Sequence, residues 1–316
     1  MDQNILSSRA IMGMYYARLE VNPGLAWVDD ISNLFGSDQG SEQYAMSGFT
    51  AGMREWIGGR QAKGLRTNDL TIVNAHYEST LEVRVRDARR DKTGQILARV
   101  NEFADAGLTH WASLLSTLLL NGPSAVCYDG QFYFDTDHSE GASGSQSNDI
   151  TVDISALPAA VHGVVTAPSV EEMQQSILQG IAQILSFKND QGEPVNEMAT
   201  RFRLMVPVGL YMQAVAATSI LSTAALQQNL NPNLIAGMTV DVSMNPRLTW
   251  TDSFAIFRSD SPIKGLIRQS EVDAELKAKA EGSEFEFDND AWQFGIDAWR
   301  GVSYGLWNRA CYVTMI

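Results

Sequence analysis

A charged, turn-rich block from Arg54 to Asp91, followed directly by an unbroken helical pattern from Gly94 to Leu120, constrains this chain more than any other feature. The last third of the block alternates Leu81, Val83 and Val85 with Glu82, Arg84 and Arg86, the period of a half-exposed strand. The block therefore predicts a long hairpin. In the stretch that follows, Ile96, Val100, Phe103, Leu108, Trp111, Leu115 and Leu118 recur at three- to five-residue spacing, and Asn121-Gly122-Pro123 closes the run. An extended two-stranded arm buries too little apolar surface to stabilise itself. Its expected partner is another copy of the chain.

The charge pattern agrees with such an arm. The 316-residue chain carries a formal charge of -14, which argues against a dedicated nucleic-acid binder. Yet residues 54–92 hold nine Lys and Arg against six Asp and Glu, a basic segment in an acidic protein that an acidic neighbour would attract. Glu281, Glu284, Glu286, Asp288 and Asp290 alternate with Phe285 and Phe287. That run reads as a strand with a solvated face, or as the acidic counterpart of a neighbour's basic loop. Gly58-Gly59 predicts a sharp bend, with Trp56 before it as an anchor.

Elsewhere helices and strands interleave without a repeat, which defines an α+β class with discontinuous subdomains. Residues 1–46 read as two short helical stretches with little core of their own. Residues 125–134 predict two short strands about Asp129-Gly130, and residues 140–148 a Gly/Ser-rich loop that is mobile or held by a neighbour. Ser169 with Glu172 forms a capping-box signature ahead of a helix to Leu185. A strand over 202–208, a helix over 209–226 and strands over 237–244 and 249–257 follow, and the chain closes on an apolar strand. The segment 204–240 has no charge, but Pro207, Gln213, Gln227 and Gln228 weigh against a membrane span. The amino terminus has no secretory pattern, and Cys127 and Cys311, without CxxC spacing, read as buried thiols of a reducing compartment.

Enzymatic chemistry has one foothold. Asp135, Asp137 and His138 place three potential metal ligands within four residues, which makes a metal-dependent hydrolase an alternative reading. The structural reading of the same residues is a turn capped by carboxylates with His138 hydrogen-bonded in a peripheral sheet. His110, beside Trp111, reads as a packing or interface residue. No cofactor or phosphate-binding motif is present.

The order EWIGGR, IVNAHYE and VRDARRD before the long helix, then CYDGQFYFDTDH with a Gly/Ser loop and Asn148, resembles the major head subunit of Mu-like phages and prophages. RLMVPVGLYMQAVA and LIAGMTVDVSMNPRLTWTDSFAIF add to the likeness, which runs from about residue 10 to the end. The resemblance implies the HK97-type capsid fold. It makes residues 1–46 the N-terminal arm, 47–93 the extended loop, 94–165 the peripheral domain with its spine helix, 166–267 the axial domain and 268–316 the return to the peripheral domain.

It also implies a major capsid protein that self-assembles into hexamers and pentamers of an icosahedral head around double-stranded DNA. Assembly would take place in the bacterial host cytoplasm, with a portal and a separate scaffolding protein, since this chain begins too close to the arm to hold a scaffolding region. The expected contacts between subunits are Trp56, Arg60, Lys63, Arg66, Arg84, Arg86 and Arg90 on the loop, with Asp288 and Asp290 on the receiving side. Lys63 is placed for the covalent cross-link some relatives form, but no partner Asn is identified. Another ring- or tube-forming phage protein is a further alternative.

Overall fold

The computed structural model describes residues 7–21, 24–46, 68–91, 94–226, 234–235 and 238–316. Helix α1 (Ser8–Val21) is followed by α2 (Ala26–Ile31), β1 (Ser32–Gly36), β2 (Ser41–Met46), β3 (Asn68–Val73), β4 (Ala75–Arg84) and α3 (Val85–Arg90). The long helix α4 (Gln95–Asn121) leads to the short strands β5 (His138–Ser139), β6 (Ser145–Gln146) and β7 (Asp149–Val152). Next come α5 (Val170–Ser186), β8 (Arg201–Val206), α6 (Tyr211–Leu226), β9 (Leu234–Ile235), β10 (Met238–Met244) and β11 (Ser253–Arg258). The chain ends with β12 (Leu266–Lys279), α7 (Glu284–Asn289), β13 (Ala291–Tyr304) and β14 (Ala310–Met315).

Helix α4 spans 27 residues, about 40 Å at the standard rise. It begins where the Asp91 carboxylate accepts the backbone N–H groups of Gly94, Gln95 and Ile96, donors that a helix start otherwise leaves unpaired. It ends at Gly122, where a Cβ would lie 2.4 Å from the Phe134 ring. Its apolar stripe serves two cores. Val100 and Ala104 pack with Ile11 and Tyr15 of α1 and with Trp292, Phe294 and Ile296 of β13. Trp111, Ala112, Leu115 and Leu119 join the larger core under the six-stranded sheet.

The strand pairing departs from the expected hairpin. β3 pairs antiparallel with β2, not with β4, so the two-stranded arm starts at Ser41, and residues 47–67 between its strands lie outside the described residues. β4 instead forms one edge of a four-stranded sheet in the order β1-β12-β13-β4. Leu81 and Val83 sit opposite Phe294 and Trp292 of β13, an apolar match far along the chain that local alternation cannot reveal. Val85 does not continue the strand. It and Ala88 are buried one helical turn apart, so the segment closes into α3.

A second sheet has the order β7-β14-β11-β8-β10-β9, drawing strands from 149–152, 201–258 and 310–315. Helix α5 packs on β11 and β14. It carries the expected capping box, with the Ser169 hydroxyl accepting from the Glu172 N–H and the Glu172 carboxylate accepting from the Ser169 N–H at 2.7 Å.

Residues 8–31 lend their apolar side chains to both cores rather than forming one of their own: Ile11 and Tyr15 to the smaller, Trp27, Val28 and Ile31 to the larger. Arg18 reaches α4 through a two-pronged pair with Asp105 at 2.7 and 2.8 Å. The stretch expected as a second short helix is shared between α2 and β1, and β1 runs parallel to β12. The Gly/Ser loop is held by its own chain. Gln146 exchanges hydrogen bonds with the Lys188 backbone, and Ala142 N–H donates to Asp190 O at 2.9 Å.

Candidate functional site

Asp135, Asp137 and His138 do not converge. Asp135 accepts from the backbone of Phe132 at 3.0 Å and Thr136 at 2.7 Å, Asp137 is exposed, and His138 is fully buried. His138 Nδ1 lies 2.6 Å from the Asp129 carboxylate and Nε2 3.2 Å from Asn148 Oδ1, while its ring stacks on Trp307 at 4.2 Å and 3°. Asn148 cannot be turned round. Its Oδ1 accepts from Asp135 N–H, and its Nδ2 donates to the carbonyls of Tyr133 and Trp307. Both imidazole nitrogens therefore face acceptor oxygens rather than an ion site. Among the described residues no group of three or more His, Cys, Asp or Glu is arranged to hold a metal. The hydrolase reading has no geometric basis, because neighbours in sequence at a strand end point to opposite sides.

His110 is a packing residue. Its ring meets Tyr77 edge-on at 4.4 Å, and its Nδ1 accepts from Arg300, whose guanidinium lies 4.5 Å from the Trp111 ring centre. Burial, then Arg300 and Arg247, push the His110 imidazole below its usual range. Cys127 and Cys311 are buried free thiols, and burial pushes both up.

The charged residues fall into two groups. Trp56, Arg60, Lys63 and Arg66 lie outside the described residues. Arg84, at the end of β4, and Arg86 and Arg90 on α3 are exposed, and Arg86 makes a 3.5 Å pair with Asp87. The acidic run is not a strand. Ser283 caps α7 by accepting from Glu286 N–H, and the Glu286 carboxylate accepts from Gly282 N–H at 2.7 Å and Trp292 Nε1 at 2.9 Å. Those hydrogen bonds, first from Gly282 and then from Trp292, hold the Glu286 carboxyl below the usual carboxylate range, with Arg89 adding to the effect.

Asp288 lies on α7, and Asp290 follows it in the left-handed conformation at φ 47°. The Asp290 carbonyl accepts from Val85 N–H at 2.9 Å, so α3 and α7 meet at one end of the four-stranded sheet. The sequence reading missed Arg89 and Arg99 here. Arg99 follows Ile96 by three residues on α4, a spacing that places it near that end.

A long helix crossing two cores, a two-stranded arm and a six-stranded sheet completed by the C-terminal strand together make the HK97-type capsid fold. The chain aligns with the procapsid protein of bacteriophage JBD30 over 96% of its own length and 72% of that chain, at a TM-score of 0.56 and 19% identity. Residues 18–157 match the family described as the Mu-like prophage major head subunit gpT.

It is 31% identical over 123 residues to the Mu-like prophage FluMu major head subunit of Haemophilus influenzae, covering 39% of this chain and 40% of that protein. It is 27% identical over 108 residues to the major capsid protein of Escherichia phage Mu, covering 34% and 35%. The chain thus spans about two fifths or less of the curated relatives it matches.

Proposed function

We infer that this protein is the major capsid protein of a Mu-like tailed phage, a structural rather than catalytic subunit that associates into hexamers and pentamers of an icosahedral head around double-stranded DNA. The observation that carries this reading is the capsid fold, matched over 96% of the chain. The relationship to Mu-like head subunits over residues 18–157 adds to it. In this reading the protein resides in the virion, is assembled in the host cytoplasm, and works with a portal and a separate scaffolding protein. Among the described residues no helix is long and apolar enough to cross a membrane.

Residues 1–46 act as the arm, 47–93 as the extended loop and 94–165 with 268–316 as the peripheral domain around α4. Residues 166–267 form the axial domain, with β7 and β14 completing its sheet. DNA is retained by confinement and counterions, because a charge of -14 leaves few basic groups to meet phosphate.

The contacts between copies fall on Trp56, Arg60, Lys63, Arg66, Arg84, Arg86 and Arg90 of the loop segment and on Asp288 and Asp290. Reversing Arg84 and Arg86 together to Glu tests this assignment. Both side chains are exposed, so the circular dichroism spectrum and thermal unfolding of the dispersed protein should match wild type, while the yield of closed particles falls. Particles formed at wild-type yield would remove these two residues from the contact.

A further inference from the structure

Three arginines that share one groove have no partner among the described residues. Arg84 on β4, Arg90 on α3 and Arg99 on α4 line an open groove of about 540 Å³. None of the three makes a hydrogen bond or ion pair with a described residue. Leu81, Val83 and Ile96 supply its apolar lining. The lining also carries the carboxylates of Glu82, Asp87 and Asp91, and with Arg86 and Arg89 on α3 beside it the arginines outnumber them five to three. The groove also runs along β4, whose outer edge carries no neighbouring strand among the described residues.

The same molecule presents the complementary shape and charge. Between β12 and β13, α7 holds Phe287 with 91% of its surface exposed, beside the exposed carboxylates of Glu284 and Asp288. Phe287 does not fill the groove of its own chain, and the α7 carboxylate that feels the chain's own Arg89 is Glu286, on a different side of the helix. An aromatic anchor flanked by acids matches a groove where Leu81 and Ile96 lie beside a surplus of guanidinium groups.

We propose that α7 of a second copy docks in this groove, with Phe287 against the partly exposed Leu81 and Ile96 and the Glu284 and Asp288 carboxylates meeting Arg84, Arg90 and Arg99. The inference rests on the head-subunit reading and names one contact within it. Groove and knob lie close together on each copy, since Val85 N–H bonds the Asp290 carbonyl.

A charge exchange tests it. Arg90→Glu with Arg99→Glu reverses the groove, Glu284→Arg with Asp288→Arg reverses the knob, and all four side chains are exposed. Each reversal alone should lower the yield of closed particles, counted by electron microscopy after co-expression with the scaffolding protein, by at least about tenfold. The four changes together should restore it to within about threefold of wild type. Phe287→Ala should lower the yield without changing the melting temperature of the dispersed protein. If wild type forms particles and the single-sided reversals do so equally well, or the combined chain shows no recovery, the docking is wrong and the head-subunit reading stands. If wild type forms no particles, both fall.

Discussion

Replacing Trp307 by alanine should destabilise the dispersed protein by about 3–5 kcal/mol, the usual cost of deleting a large buried aromatic side chain. Trp307 is fully buried. Its indole stacks on His138 at 4.2 Å and meets Phe187 edge-on at 5.2 Å, while its carbonyl accepts from Asn148. Truncation opens a cavity at the junction of the 125–148 segment, α5 and the C-terminal strand. It also leaves the buried His138–Asp129 pair without its stacked cover, and a buried polar pair loses most when its surroundings loosen. Urea unfolding of wild type and variant measures the difference. A loss below about 1 kcal/mol would mean the site relaxes around the gap and that this cluster does not organise the core.

Glu172→Ala should cost about 2–3 kcal/mol, because it strips three part-buried donors of one shared acceptor. The fully buried carboxylate accepts from Ser169 N–H at 2.7 Å, Gly163 N–H at 3.0 Å and His162 Nδ1 at 2.8 Å. Burial works to raise its carboxyl, but the backbone donors Ser169 and Gly163, then His162, outweigh burial and hold it below the usual range. A depressed carboxyl stabilises the fold above its unfolded pKa of about 4.3 and loses that contribution as pH falls through the folded value. The gap between wild type and Glu172→Gln should accordingly be full at neutral pH and shrink in acid. A gap that stays constant from pH 7 to pH 3 would show that the carboxylate's charge plays no part.

The elements that were legible in the sequence are those whose signals are local. The spacing of Ile96 through Leu118 marks α4, Ser169 with Glu172 marks the start of α5, and the alternation in 237–244 marks β10. Pairing is not local. Leu81 and Val83 alternate in the same way whether β4 joins β3 or β13, and their match to Phe294 and Trp292 decides between them. The acidic run misled for a different reason. Phe285 and Phe287 alternate like strand residues, but the Ser283 cap and the Glu286 hydrogen bonds satisfy a helix turn instead. Of the candidate site, Arg84, Arg86 and Arg90 were visible as a charge excess. Their nearness to α7 depends on the β4–β13 register, which brings Arg84 opposite Ala291 just beyond that helix. The partners of His138 come from Asp129, Asn148 and Trp307, and no motif joins residues so widely spaced.

Cryo-electron microscopy of the purified protein, alone and co-expressed with a candidate scaffolding protein, tests the central claim most directly. The account predicts closed icosahedral particles, or the hexamers and pentamers that build them, with α4 and the β2–β3 arm resolved in every copy. Stacked rings or tubes in both preparations, or protein that stays monomeric in both, would contradict it.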